Sequence, residues 1–218
     1  MFPDTALVTG GASGIGAALV ERLEDDGTEV RVLDLSEGFD VGDPAAWEGV
    51  GPVQLACLNA GIVTGVEDVR ELSDDGYQRM LATNVGGVVF GVRRMAQVMP
   101  EGGAIVVTAS LAGLTTMTTD PIYAGTKHFV VGFVRSVAPQ LAERGISIHA
   151  VCPAIVDTPM LGPVRARVRQ AGIDVLTAEE VADVVLTAAQ DDSTGGIWTC
   201  LPGRAPEKFA FHRFFDSA

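Results

Sequence analysis

Short apolar runs alternate with longer helix-length stretches along this chain, and that order leaves few folds open. Residues 6–8, 29–33, 53–58, 104–109, 146–151 and 197–201 have the length and aliphatic content of strands. Between them lie segments with helical patterning at 17–26, 76–98, 122–144 and 178–189. Strands apolar on both faces, each followed by a helix, require a parallel sheet covered on both sides, an α/β architecture. The chain has 218 residues, 47% of them hydrophobic, enough for one such unit with a large core. No linker, repeat or low-complexity tract divides it, so a single domain spanning 1–218 is expected. The loop at 36–52 is rich in Gly, Asp and Pro, with room for one short helical turn near 45–48. Pro139 falls inside the second long helix and is expected to kink it without reaching the chemistry.

The run Thr9-Gly10-Gly11-Ala12-Ser13-Gly14-Ile15-Gly16 joins the first strand to the first helix. Glycines allow a tight turn and close approach of backbone to ligand, and a helix N-terminus favours a pyrophosphate. Asp34, eighteen positions after Gly16, ends the second strand. A carboxylate there can accept hydrogen bonds from both ribose hydroxyls of an adenosine, with Leu35 beside it, and would repel a 2′-phosphate. NAD is therefore expected over NADP. Arg31 lies inside the strand, and Ser13 stands where a basic residue could have met that phosphate.

Tyr123 and Lys127 are four residues apart, on one face of a helix. A free phenol, with a pKa of about 10, is a poor base at neutral pH. An ammonium roughly 4 Å away, at an effective dielectric of about 20, favours the phenolate by at most about 4 kcal/mol. That predicts a phenol lowered towards working pH, a device for proton transfer.

Together these residues resemble the short-chain dehydrogenase/reductase family in its shorter, non-extended branch, over about residues 5–156. The matching pieces are Thr-Gly-x-x-x-Gly-x-Gly at Thr9 to Gly16, Asn59-Ala60-Gly61, Asn84 in Thr-Asn-Val, Ser110, and Tyr123-x-x-x-Lys127. Asp40-Val41 resembles the pair that holds the adenine, and the segment Pro153 to Thr158, with Val156 inside it, resembles the one that contacts nicotinamide. The resemblance implies a three-layer, doubly wound Rossmann fold with a central, mostly parallel sheet of about seven strands. It also implies a secondary alcohol/ketone oxidoreductase. In it Tyr123 is the acid/base and Lys127 lowers the tyrosine pKa and holds the nicotinamide ribose. Ser110 binds the substrate oxygen, and Asn84 holds a water that relays protons from Lys127. Residues 127–133 followed by Cys152-Pro153 resemble members acting on hydroxysteroids and other apolar alcohols. The alternatives are an NADP-linked ketoacyl-thioester reductase, which Asp34 disfavours, and a silent dinucleotide sensor, which would have lost Tyr123 or Lys127.

The chain departs from the family in places. Ala154 stands where glycine is usual, the 36–52 crossover is short, and only 159–176 separate the nicotinamide segment from the next helix. Arg165 and Arg169 could face a substrate anion or form a solvated basic face. The aromatic tail from Phe209 to Phe215 is expected to pack on a neighbouring subunit or close the chain's own pocket. The family is commonly dimeric or tetrameric through its two long helices, so a homodimer or homotetramer is expected. Cys57, Cys152 and Cys200 lack ligand spacing and are expected as buried free thiols, with no metal site. A net charge of -13 argues against nucleic acid and anionic membranes as partners. Met1-Phe2-Pro3-Asp4 runs straight into a strand without a secretory leader, so a cytoplasmic location is expected.

Overall fold

The computed structural model describes residues 3–212. Seven strands among them form one sheet: β1 (Thr5–Thr9), β2 (Glu29–Leu33), β3 (Leu55–Leu58), β4 (Ala104–Thr108), β5 (Ser147–Pro153), β6 (Ile197–Cys200) and β7 (Glu207–Lys208). Their order is β2-β1-β3-β4-β5-β6-β7; the first six run parallel, and β7 pairs antiparallel with β6. The expected α/β sheet is present, with β7 added beyond the six strands read from the sequence.

Six helices flank it: α1 (Gly14–Asp25), α2 (Asp74–Leu81), α3 (Gly87–Val98), α4 (Pro121–Ala142), α5 (Arg165–Gln170) and α6 (Ala178–Ala189). Side chains alternate across the sheet with period two. Leu7, Ala56, Leu58, Ile105, Val107 and Ile148 meet Val92, Met95, Val130 and Val134 of α3 and α4. Their neighbours Ala6, Val8, Leu55, Cys57 and Val106 meet Leu19, Leu23, Val181 and Val185 of α1 and α6. Each fully buried Leu, Ile or Val contributes about 1.5–3 kcal/mol, so the two layers lock the sheet that carries the site.

One segment differs from the sequence reading, and the short crossover matches it. The helix expected over 76–98 is α2 and α3 joined by a π-helical turn, Ala82–Gly86. That wider turn carries Asn84, which is fully buried and bonded across to Ile62. The 36–52 crossover holds two short 3-10 turns, Leu35–Glu37 and Pro44–Trp47, and no α-helix. Trp47 makes this possible. Its ring is buried, meets Phe39 edge-to-face at 5.2 Å, and its Nε1 donates to the Val41 carbonyl at 3.0 Å. One indole therefore fills space against α3 that a longer crossover would cover. Pro139 lies in the last turn of α4, which continues to Ala142.

The chain leaves β1 for β2 on one side and returns to β3 on the other. In doubly wound sheets this reversal opens a crevice at the carboxyl ends of the strands. Thr9, Asn59, Ser110 and Pro153 all stand at that end.

Candidate active site

The glycine loop is set by steric fit. A Cβ on Gly16 would stand 2.0 Å from the Gly10 carbonyl oxygen, so the first turn of α1 packs directly on the loop. Gly10 has φ +66°, and a Cβ there would meet the Ala60 backbone at 2.9 Å. Ser13 caps α1 in an extended conformation with its hydroxyl unused for capping, and Ile15 packs into the core below. Gly14 lies beneath the Thr158 side chain. No acidic residue occupies the first turn of α1, which leaves its N-terminus electrostatically open to an anion.

Asp34 closes this region from β2. Its carboxylate accepts from the Ser36 backbone at 2.9 Å, the Ser36 hydroxyl at 2.8 Å and the Ala12 N–H at 3.1 Å. The Ser36 backbone bond leads in lowering its pKa, against a smaller opposing effect of burial. The carboxylate is thus fixed, ionised, beside the glycine loop. Leu35 next to it is 73% exposed. Asp40 is exposed and Val41 is buried. The Asp40 carboxylate accepts from Gly42 N, while Val41 is buried against Gly87 with its carbonyl bonded to Trp47.

Asn59 ties three strand ends together. Its backbone N–H and that of Ala60 donate to Thr9 Oγ1 at 2.9 and 3.0 Å, and its Nδ2 reaches the Thr9 carbonyl. Its Oδ1 accepts from Thr108 Oγ1 at 3.1 Å. Gly61 follows, and a Cβ there would sit 3.5 Å from both Asn84 Oδ1 and Lys127 Nζ. The loop that touches Gly10 through Ala60 therefore touches the lysine through Gly61.

Ser110, Tyr123 and Lys127 converge on this point. Ser110 precedes a 3-10 turn after β4, its Oγ accepting from Ala112 N at 3.1 Å, and its hydroxyl lies near enough to the Tyr123 phenol to favour the phenolate. Lys127 is 4% exposed, and its Nζ donates to the Thr108 carbonyl at 2.9 Å. That ammonium lies 5.5 Å from the Tyr123 ring centroid, over the ring. Burial pushes the Lys127 pKa down to about 8. The expected lowering of the tyrosine is corrected here. Burial raises the Tyr123 pKa, the Asp120 carboxylate adds to the rise, and the Ser110 hydroxyl opposes it. The physical reason is placement: the lysine is bonded to a carbonyl and stands over the ring face, so loss of solvent dominates. Cys152, its thiol pushed up to about 12 by burial, is neutral beside the pair.

Asn84, expected to hold a relay water, has other bonds here. Its Oδ1 accepts from Ile62 N at 2.8 Å, and its Nδ2 faces the Ile62 carbonyl at 2.9 Å and Thr126 Oγ1 at 3.2 Å. Asp120 was missed by the sequence reading. It caps α4 at Tyr123 N and holds the backbone of Thr64 and Gly65. An Asp-Pro pair just ahead of a helical pattern is a start signal that could have found the cap.

Beyond β5, Pro153 ends the strand and Val156 bridges to Leu176. Positive φ occurs only at glycine among the described residues, so Ala154 occupies its place without backbone strain. Arg165 and Arg169 both pair with Asp157, at 2.8 and 3.3 Å, an arrangement closer to a self-paired surface than to an anion site. Ile62 and Val63 after β3, and Ile155, Met160 and Val164 after β5, leave apolar side chains exposed on the loops at this end of the sheet. At the C-terminus Phe211 packs on the chain's own core under Arg135, 3.6 Å from the ring centroid. Arg213, Phe214 and Phe215 of the aromatic tail lie outside the described residues.

A glycine loop at the switch point of a parallel sheet, with a serine–tyrosine pair and a buried lysine beside it, defines a dinucleotide-type oxidoreductase site. The family model described as short chain dehydrogenase matches residues 44–169. The chain is 31% identical over 185 residues to 3beta-hydroxysteroid dehydrogenase 2 of Eggerthella lenta, covering 71% of each protein. It is 31% identical to cyclohexanol dehydrogenase of an Acinetobacter species, covering 87% of this chain and 88% of that one. The solved structure of BdcA in complex with NADPH superposes with a TM-score of 0.81 at 29% identity, over 92% of this chain and 94% of that one. The chain belongs to the short-chain dehydrogenase/reductase family and is an oxidoreductase of that family.

Proposed function

We propose that this chain interconverts an apolar secondary alcohol and its ketone, with NAD as the hydride carrier. The observation that carries the reading is Lys127 buried one helical turn from Tyr123, its ammonium 5.5 Å from the ring centroid, with Ser110 beside the phenol and the loop of Gly61 and Ala60 joining the pair to Gly10. A nicotinamide dinucleotide fits the residues present. Gly10 and Gly16 let the loop close directly onto α1, whose first turn has no acidic residue to oppose a pyrophosphate, and Asp34 stands where the adenosine ribose would lie. When bound, it supplies the hydride acceptor and donor.

The chain's own residues supply the proton and the charge. Ser110 Oγ and the Tyr123 hydroxyl both bind the substrate oxygen. In reduction the protonated Tyr123, favoured by its raised pKa, donates its proton to the developing alkoxide. In oxidation the phenol first releases its proton to solvent, the phenolate then takes the proton of the substrate hydroxyl, and Lys127, with a pKa near 8, is the neighbouring group able to stabilise the charge. Asn84 fixes Ile62 and the loop at the substrate side.

The apolar residues Ile62, Val63, Ile155, Met160 and Val164 favour an apolar substrate, in keeping with relatives named for hydroxysteroid and cyclohexanol oxidation. The preference for NAD rests on the fixed Asp34 carboxylate, which disfavours a 2′-phosphate; the NADPH bound by BdcA supports the opposite preference. We read the whole chain as one unit carrying both the cofactor loop and the catalytic residues. Phe129, 43% exposed and stacked on Phe133 of α4, supports a homo-oligomer through the long helices. Three free buried thiols suit the reducing cytoplasm, and no helix among the described residues is long and apolar enough to cross a membrane. The test is a panel of cyclohexanol and hydroxysteroids with NAD and with NADP, followed by absorbance of the reduced nicotinamide. Turnover with NAD is expected; faster turnover with NADP would reverse the cofactor reading.

A further inference from the structure

Asp120 is 2% exposed and is met by four donors from two segments distant in sequence. Its Oδ1 accepts from Tyr123 N at 3.0 Å and Thr64 Oγ1 at 2.9 Å. Its Oδ2 accepts from Thr64 N at 2.7 Å and Gly65 N at 2.8 Å. A helix cap needs only one of these bonds. The other three go to the 61–65 loop, which touches Lys127 at Gly61 and carries exposed Ile62 and Val63. Asn84 holds the same loop from the other side, through both backbone polar groups of Ile62.

We propose that Asp120 is a positioning residue that clamps the 61–65 loop onto the first turn of α4, fixing the substrate wall and the Tyr123 side chain together. The proposal rests on the oxidoreductase reading of this site. The carboxylate acts in two ways. Its hydrogen bonds hold the loop, and its negative charge disfavours the phenolate, keeping Tyr123 protonated as an acid. The other polar groups facing that phenol are the Ser110 hydroxyl, Lys127 above the ring and the neutral Cys152 thiol; Met80, Ala112 and Ala124 complete its surroundings.

Asp120→Asn separates the clamp from the cap. Asparagine caps a helix as well as aspartate does, but it carries no charge, and with its carbonyl oxygen on Tyr123 N its NH2 group faces Thr64 N and Gly65 N and cannot accept from them. The chain has two tyrosines, so a Tyr77→Phe background leaves Tyr123 alone to titrate by phenolate absorbance, with circular dichroism confirming the fold. In that background Asp120→Asn is expected to move the Tyr123 midpoint to lower pH. In the otherwise native chain it is expected to raise KM for cyclohexanol roughly tenfold with a smaller change in kcat. Thr64→Val, which keeps the charge and loses one bond, should raise KM by about threefold and leave the phenol midpoint where it was. An unmoved phenol midpoint in Asp120→Asn, or a KM unchanged while only the melting temperature falls, would overturn the clamp. If the native chain oxidises no alcohol, the oxidoreductase reading fails, and the phenol titration still decides the position of Asp120.

Discussion

The two halves of the site are built by different physics. On the glycine-loop side, between β1, α1 and β3, position is set by volume: Gly16 against the Gly10 carbonyl, Gly10 against Ala60, Thr9 Oγ1 beneath two backbone N–H groups. On the catalytic side, between β4 and α4, position is set by polar groups held out of water: Lys127 on the Thr108 carbonyl and Asp120 under four donors, one of them Tyr123 N. The first side is close-packed, with its one carboxylate, Asp34, at the rim of the loop, so added atoms break it. Its counterpart stores unfavourable desolvation, so removing charge can relax it. The comparison teaches where function costs stability in this fold.

The largest effect is expected on the packed side. Gly16→Val forces a side chain into the Gly10 carbonyl oxygen, where a Cβ alone would stand 2.0 Å away. It should destabilise by about 4 kcal/mol or more, read by urea unfolding, with loss of dinucleotide binding. A variant of native stability would mean that volume does not govern this half.

Lys127→Met should show the opposite sign on the catalytic side. Activity falls by roughly 10²-fold or more, while stability at pH 7 rises by about 1–2 kcal/mol. The gain is the burial penalty of a lysine whose pKa is about 8, near 1.4 kcal/mol per unit, less the bond lost at the Thr108 carbonyl. Between pH 8 and the ordinary lysine value the unfolded chain holds a proton that the folded one has released. Native stability therefore rises with pH across that window, and in Lys127→Met this rise should vanish.

A smaller effect lies far from either half. His149 in β5 is fully buried, and burial lowers its pKa below the usual 6.5, with Asp191 and Lys208 the nearest charges. Below the unfolded value the unfolded chain takes up the proton first, so stability is complete above about pH 6.5 and declines as pH falls. Thermal melts at about pH 7.5 and 5.5 should differ by a few degrees, and His149→Leu should flatten the difference.

Much of the volume-determined half was legible in the residues. Glycine spacing after a strand, and an acid after the next strand, are local signals, and the structure places Gly10, Gly16 and Asp34 together as read. The polar half was legible in its residue types and less so in its energetics. Four-residue spacing places Tyr123 and Lys127 on one face, but it does not disclose that the ammonium bonds the Thr108 carbonyl. Asp120 escaped because two of its loop partners are the backbone N–H groups of Thr64 and Gly65, and backbone groups leave no trace in residue identity. Within Asp40-Val41 the surroundings of Val41 were not legible either: Trp47, a few residues on, claims the Val41 carbonyl and buries its side chain, while Asp40 stays exposed. The edge strand β7, two residues long, is too short to carry a period.

The central claim is that Tyr123 moves the proton of the substrate hydroxyl, and Tyr123→Phe tests it with the loss of one oxygen. Oxidation of a secondary alcohol should fall by roughly 10²- to 10⁴-fold. Binding of NAD, followed by fluorescence titration, should stay within a few-fold of native. Undiminished turnover in Tyr123→Phe would contradict the account.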